Sequence, residues 1–180
     1  MSFLTFAVAA LSSIFGVLLP HPVRAECSEA AGPGVVWRRC RYDGASLRGV
    51  DLSGADLRDS SFSRADLSGS DLRRSNLQRA KFVSATLQGT MLDEANLTRA
   101  DLTSADLASA TLTGAGLRQA RLFGANLRGA DLTGAITDGI DLLHADLSGA
   151  TWTDGKTVCA EGSVGRCQAA STNGAVAPQG

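Results

Sequence analysis

Aromatic side chains are scarce in this chain, 5% of 180 residues with a single tyrosine, so a core of packed rings is excluded and small or medium aliphatic residues must build it. Excess charge of either sign is missing too. Seventeen Lys and Arg stand against 18 Asp and Glu, and a net charge of −1 gives no reason to expect a polyanionic partner. Beyond the first 25 residues only one histidine remains, His144, which leaves little for acid–base chemistry. The four cysteines contain no Cys-x-x-Cys pair, which weakens a zinc reading. One apolar run stands out, Phe3 to Leu19, and its seventeen residues are marginal for crossing a bilayer.

That run is followed by Pro20-His21-Pro22 and then Val23-Arg24-Ala25. An apolar stretch, helix breakers, and small or aliphatic residues at −3 and −1 form the pattern of a secretory signal peptide. Residues 1–25 are therefore read as a signal, with the mature chain expected to begin at Glu26 and to be exported, either periplasmic or secreted, without stable membrane insertion. The segment ahead of the run lacks Lys and Arg, so an uncleaved membrane anchor is the alternative. Cys27, Cys40, Cys159 and Cys167 fall two on each side of the central region. An even count outside a reducing compartment points to disulfides. Three connectivities exist, and Cys27 with Cys40 plus Cys159 with Cys167 fits best if the region between holds the ends apart. Closing such loops contributes roughly 2–3 kcal/mol each.

The central region repeats every five residues. From Ala45 to Asp154 run 22 quintets without insertion, and the central residue is Leu in 18 of them, the exceptions being Phe62, Phe82, Thr137 and Trp152. Two residues earlier stands Ala in 16, and the residue just before the centre is Asp or Asn in 12. Five residues at about 100° each would spread the leucines around a straight α-helix. In a straight strand an odd period would throw them onto opposite faces. Ala and Leu two apart point the same way if the chain bends between pairs, and bends of one sense close a coil around an apolar interior. Gly in the last position of ten quintets suits those bends, because it accepts positive φ.

The motif Ala-(Asp/Asn)-Leu-x-x, as in Ala55-Asp56-Leu57 and Ala125-Asn126-Leu127, resembles the pentapeptide-repeat family over about 110 of 155 mature residues. The resemblance implies an all-β fold: a right-handed quadrilateral parallel β-helix with four quintets per coil, about 5.5 coils here. The organisation expected is a signal peptide at 1–25, an N-terminal cap at 26–44, the β-helix at 45–154, a C-terminal disulfide cap at 155–167 and a disordered tail at 168–180. Upstream, Val35, Trp37, Cys40 and Tyr42 keep the same register, so aromatics would cover the first coil. Trp152 and the Cys159–Cys167 loop would cover the last.

With 20 residues per coil, Phe62 and Phe82 share an inward column. Ser61, Lys81, Asp101, Arg121 and Asp141 form an outward column of alternating sign. Beside it lie Ser63, Val83, Thr103, Phe123 and Leu143, and the apolar Val83, Phe123 and Leu143 are the candidate interface. Arg58, Arg79, Arg99 and Arg118 are expected to gather near Asp56 and Asp59 as a solvated face. No catalytic, cofactor-binding or metal-binding residues are assigned, and His144 reads as an exposed turn residue. The function expected is a non-enzymatic exported scaffold that binds an unidentified protein partner or a second copy, not nucleic acid. Family members that protect DNA gyrase by mimicking duplex DNA supply one alternative, disfavoured by the export signal and near-neutral charge. An enzyme of unknown type is the other.

Overall fold

The computed structural model describes residues 27–169. The signal peptide, its cleavage point and residues 170–180 of the expected tail lie outside the described residues.

Each quintet contributes one side and one corner. On the side, the residue before the central Leu pairs in parallel with the residue twenty positions on, and twenty such bridges run from Val36–Asp56 to Asp131–Thr151. At Asp71, for example, the N–H donates to the Val50 carbonyl at 2.9 Å and the carbonyl accepts from Leu52 N–H at 2.7 Å. At the corner, Ala55 N–H reaches back to the Leu52 carbonyl at 3.1 Å, closing a turn whose third residue, Gly54, has φ +65°. That is the geometry of a type II turn. Positive φ recurs at every fifth residue from Gly34 to Gly149, and half of these positions are not glycine. Each non-glycine residue there costs about 1–2 kcal/mol, which the hydrogen bonds above and below must outweigh.

Four sides of five residues make the coil, so the chain is a right-handed quadrilateral parallel β-helix. Its ladder begins at Val36, ahead of the boundary placed at Ala45, so Trp37 and Cys40 already occupy inward positions. From Val35 to Asp154 the chain completes six coils of twenty residues.

The inward positions explain the consensus. Central leucines from Leu52 to Leu132 are at most 1% exposed, and the alanines between them are buried beside them. Where Ser or Thr replaces Ala, the buried hydroxyl donates to a corner carbonyl: Ser70 to Leu67 at 2.7 Å, Ser75 to Leu72 at 2.6 Å, Thr90 to Leu67 at 2.9 Å. Asp or Asn ahead of the Leu accepts the N–H two residues later, as Asp51 does from Ser53 at 2.9 Å and Asn96 from Thr98 at 3.1 Å. A short acceptor is favoured there because that N–H lies outside the ladder.

The two ends are closed differently. At the N-terminal end Tyr42 stacks on Phe62 and Phe62 on Phe82, with centroids 5.6 and 5.2 Å apart, and Trp37 leans on Tyr42 at 4.2 Å. The Cys27–Cys40 disulfide ties down the preceding segment, and the Tyr42 hydroxyl donates to the Cys27 carbonyl. At the other end the chain reverses after Trp152. Asp154 accepts the N–H of both Lys156 and Thr157 and the Thr157 hydroxyl, which holds its carboxyl down at about 2. The reversed segment then pairs antiparallel, Val158 with Thr151 and Val164 with Asp146. Cys159–Cys167 locks this cap, and Arg128 ties it to the wall through Glu161 at 2.8 Å. Gln168 and Ala169, read from composition as the start of the tail, pair with Ala160 and Cys159 and belong to the cap.

Candidate functional site

Side chains that flank a central Leu point outward, so each side of the coil presents two columns with rungs about 4.8 Å apart. On the side that carries Arg121, one column holds Val83, Thr103, Phe123 and Leu143. Val83 is half-buried, while Phe123 and Leu143 are 39% and 57% exposed. Thr103 interrupts the apolar line, its hydroxyl donating to Asp101 at 2.6 Å. The His144 ring meets Phe123 edge-on, with centroids 5.3 Å apart, from a corner with φ 62°. His144 is thus an exposed turn residue that steadies one apolar side chain.

In the neighbouring column the alternating charges do not pair throughout. Arg121 and Asp101 approach to 3.5 Å. Lys81 and Asp141 form no ion pair among the described residues.

Of the four arginines expected around Asp56 and Asp59, Arg58 and Arg79 are there and Arg99 and Arg118 are not. Arg58 and Arg38 bind Asp56, where burial alone would raise the carboxyl but the two guanidinium hydrogen bonds bring it down to about 2. Arg79 pairs with Asp59 at 2.6 Å. Arg99 donates instead to Gln119, and Arg118 to Asp138 at 3.2 Å. The reason is geometric: residues 58 and 118 share a column three coils apart, while 79 and 99 lie one position over. Each guanidinium pairs with the nearest acceptor above, below or beside it.

No group of three or more His, Cys, Asp or Glu side chains among the described residues could hold a metal ion. All four cysteines are consumed in disulfides. The surface depressions are open and lined by ordinary wall residues, for example Arg99, Arg118, Asp138 and Gly139. In another, lined by Arg41, Asp43, Ser61, Ser63 and Lys81, the Ser61 hydroxyl and the Arg41 guanidinium both donate to the Asp43 carboxylate. No helix among the described residues is long and apolar enough to cross a membrane.

Three exposed apolar residues escaped the sequence reading, Ile136 in the wall and Val158 and Val164 in the cap. Ile136 is 38% exposed in the position where Asp and Asn prevail. That mismatch with its own column was the available signal.

The family models agree with this repeat. A family model for a pentapeptide repeat region matches residues 35–112, and one for pentapeptide repeats in eight copies matches 100–136 and 125–151. Both are repeat families, and no enzyme family is indicated. No curated protein matches the chain. Among solved structures, the pentapeptide repeat protein Rfr23 from the cyanobacterium Cyanothece 51142 is 29% identical, over 58% of this chain and 82% of its own, with a TM-score of 0.44. HetL, involved in heterocyst differentiation regulation in Nostoc sp. strain PCC 7120, is 28% identical, over 69% of this chain and 77% of its own, with a TM-score of 0.37. A pentapeptide repeat protein from the Arabidopsis thaliana thylakoid lumen is 31% identical, over 69% and 85%, with a TM-score of 0.42. The matched segments run from 35 to 151, the span over which the ladder and its inward Ala and Leu repeat, and the chain belongs to the pentapeptide repeat family.

Proposed function

We propose that this protein is a non-enzymatic, exported scaffold whose lateral face docks a second copy of the chain. The observation that carries the reading is the pair of exposed apolar side chains, Phe123 and Leu143, beside Lys81 and Asp141, which form no ion pair among the described residues. Two rods laid antiparallel, face to face, about a two-fold axis that passes between Asp101 and Arg121 set Lys81 against the partner's Asp141 and Arg121 against the partner's Asp101. The same register sets Val83 against the partner's Leu143 and Thr103 against the partner's Phe123. Such a patch is self-complementary, as a two-fold contact requires. Export is supported by the sequence of residues 1–25 and by the pairing of all four cysteines, which suits an oxidising compartment.

Two measurements test the reading. Sedimentation velocity over a wide concentration range should show a dimer for wild type and a monomer for Phe123→Asp. Lys81→Glu and Asp141→Lys should each weaken the dimer, and together restore it. A monomer at every concentration sinks the docking proposal. Amino-terminal sequencing of native protein should begin at Glu26, whereas an intact Met1 on cytoplasmic material removes the export proposal and leaves the docking test standing.

A further inference from the structure

The last coil is closed on only two of its four sides. Gly165 N–H donates to the Ala145 carbonyl, Leu147 N–H to Ser163 and Gly149 N–H to Cys159, so the reversed cap covers the sides that carry Asp146 and Thr151. From Ala135 to His144 no described residue pairs with the chain from above, and Gly165 comes near this edge only at its end, beside Leu142 and His144. In the coil below, the equivalent groups are all engaged: Leu117 with Ile136, Gln119 with Asp138, Leu122 with Asp141 and Gly124 with Leu143 as donors, and the Ala115 and Ala120 carbonyls as acceptors. In the last coil the N–H groups of Thr137, Gly139, Leu142 and His144 and the carbonyls of Ala135 and Ile140 have no partner among the described residues. The core is also uncovered there. Ala135 and Leu142 are 8% and 9% exposed, against 0% for Ala115 and Leu122, and Ile136 and Leu143 flank the gap.

The vacant groups state what fits. The same edge of a second copy would offer only two carbonyls to these four N–H groups, so half of the donors would stay unpaired. A second rod stacked end to end is excluded because the cap stands on the other two sides. What remains is one extended polypeptide segment running parallel to Ala135–His144. In the register of the coils below, its first residue gives its N–H to Ala135 and its carbonyl to Thr137. Two residues on, a carbonyl meets Gly139, and the next quintet repeats this over Ile140, Leu142 and His144. Aliphatic side chains two apart would cover the open core.

We infer that this half-open end is a strand-addition site for a single extended segment of another protein with aliphatic residues at alternating positions. It rests on backbone geometry, independently of the lateral face.

The probe is a synthetic peptide with the sequence of Ala95–Ser104, which carries two quintets in register. Amide hydrogen exchange on the full chain should find Thr137, Gly139, Leu142 and His144 exchanging freely while Leu117, Gln119, Leu122 and Gly124 are protected. Saturating peptide should slow those four at least about tenfold. A peptide with its Ala and Leu residues moved to the outward positions should not. The same slowing is expected in Phe123→Asp, and its loss there would mean that the peptide reads the lateral face instead. No slowing in wild type overturns the inference. It is also overturned if the four amides are protected in the free full chain but exposed in a chain ending at Ala169, since the occupant is then the protein's own C-terminal segment.

Discussion

Leu122 and Leu142 stand in the same inward column, one coil apart, followed by the same kind of corner. Leu122 has Leu102 below it and Leu142 above it, and is fully buried; Leu142 has Leu122 below it, no inward residue above it among the described residues, and is 9% exposed. Their sequences differ little, but their environments differ by one missing layer. In a solenoid each coil is stabilised only by its neighbours, so a residue's contribution is set by what is stacked on it. The C-terminal end is therefore expected to open first, and the middle of the array last.

The largest test of this contrast is Leu122→Ala against Leu142→Ala. Deleting a fully buried leucine side chain should cost about 3 kcal/mol, and the partly uncovered one about half as much. Denaturant midpoints decide it, and equal losses would mean that the last coil is covered in solution.

Next in size is a pair of corner glycines. Gly49 has φ +61° with open space around it, whereas Gly155, at φ +66°, would bring a Cβ to 2.8 Å from Thr133 Cγ2. Gly49→Ala should cost about 1 kcal/mol from backbone strain alone. Gly155→Ala should cost more and should also loosen the cap, read as faster amide exchange at Cys159 and Gly149.

The smallest effect is acid sensitivity, compared between wall and cap. Asp56 and Asp154 are both held at about 2 in the folded chain, below the ordinary carboxylate value of about 3.9. A depressed folded value contributes stability that is fully present above about pH 4 and is lost as pH falls through about 2. Asp56→Asn and Asp154→Asn should each lower the melting midpoint at neutral pH, with the gap to wild type narrowing between pH 4 and 2. A gap that persists at pH 2 would show that the carboxylate charge is not its cause.

How much of this was legible beforehand follows from how local each signal is. The inward Ala and Leu and the Phe62–Phe82 stack could be read because they depend only on register, and the disulfide pairing because the array keeps its two ends apart. The alternating ladder through Lys81 and Asp141 was overread, since column order fixes which side chains are neighbours but not the rotamers that bring them into contact. The arginine group was drawn too large for a related reason: Arg58 and Arg79 do lie at Asp56 and Asp59, but Arg99 and Arg118 stand two and three coils along their columns. The chain reversal at Asp154 was invisible because Asp and Gly are ordinary corner residues in the array, and only the antiparallel pairing that follows distinguishes this one. Loss of consensus at Ile136, Thr137 and Ile140 did mark the open end. Without a known chain path, a polar residue facing inward and an apolar one facing outward read only as noise.

The twenty-residue coil has a consequence for insertions and deletions. Removing one whole coil from the middle of the array, for instance residues 95–114, would shorten the rod by about 4.8 Å and leave every column aligned with both caps. Removing one quintet would keep every local motif intact, yet turn the C-terminal half by a quarter revolution against the N-terminal half. The aromatic stack would stay where it is, the open step would swing to a different side of the rod, and Phe123 would no longer stand above Val83. Length in this protein therefore behaves like an angle: the chain can change freely in steps of twenty residues, while a step of five redirects everything beyond it.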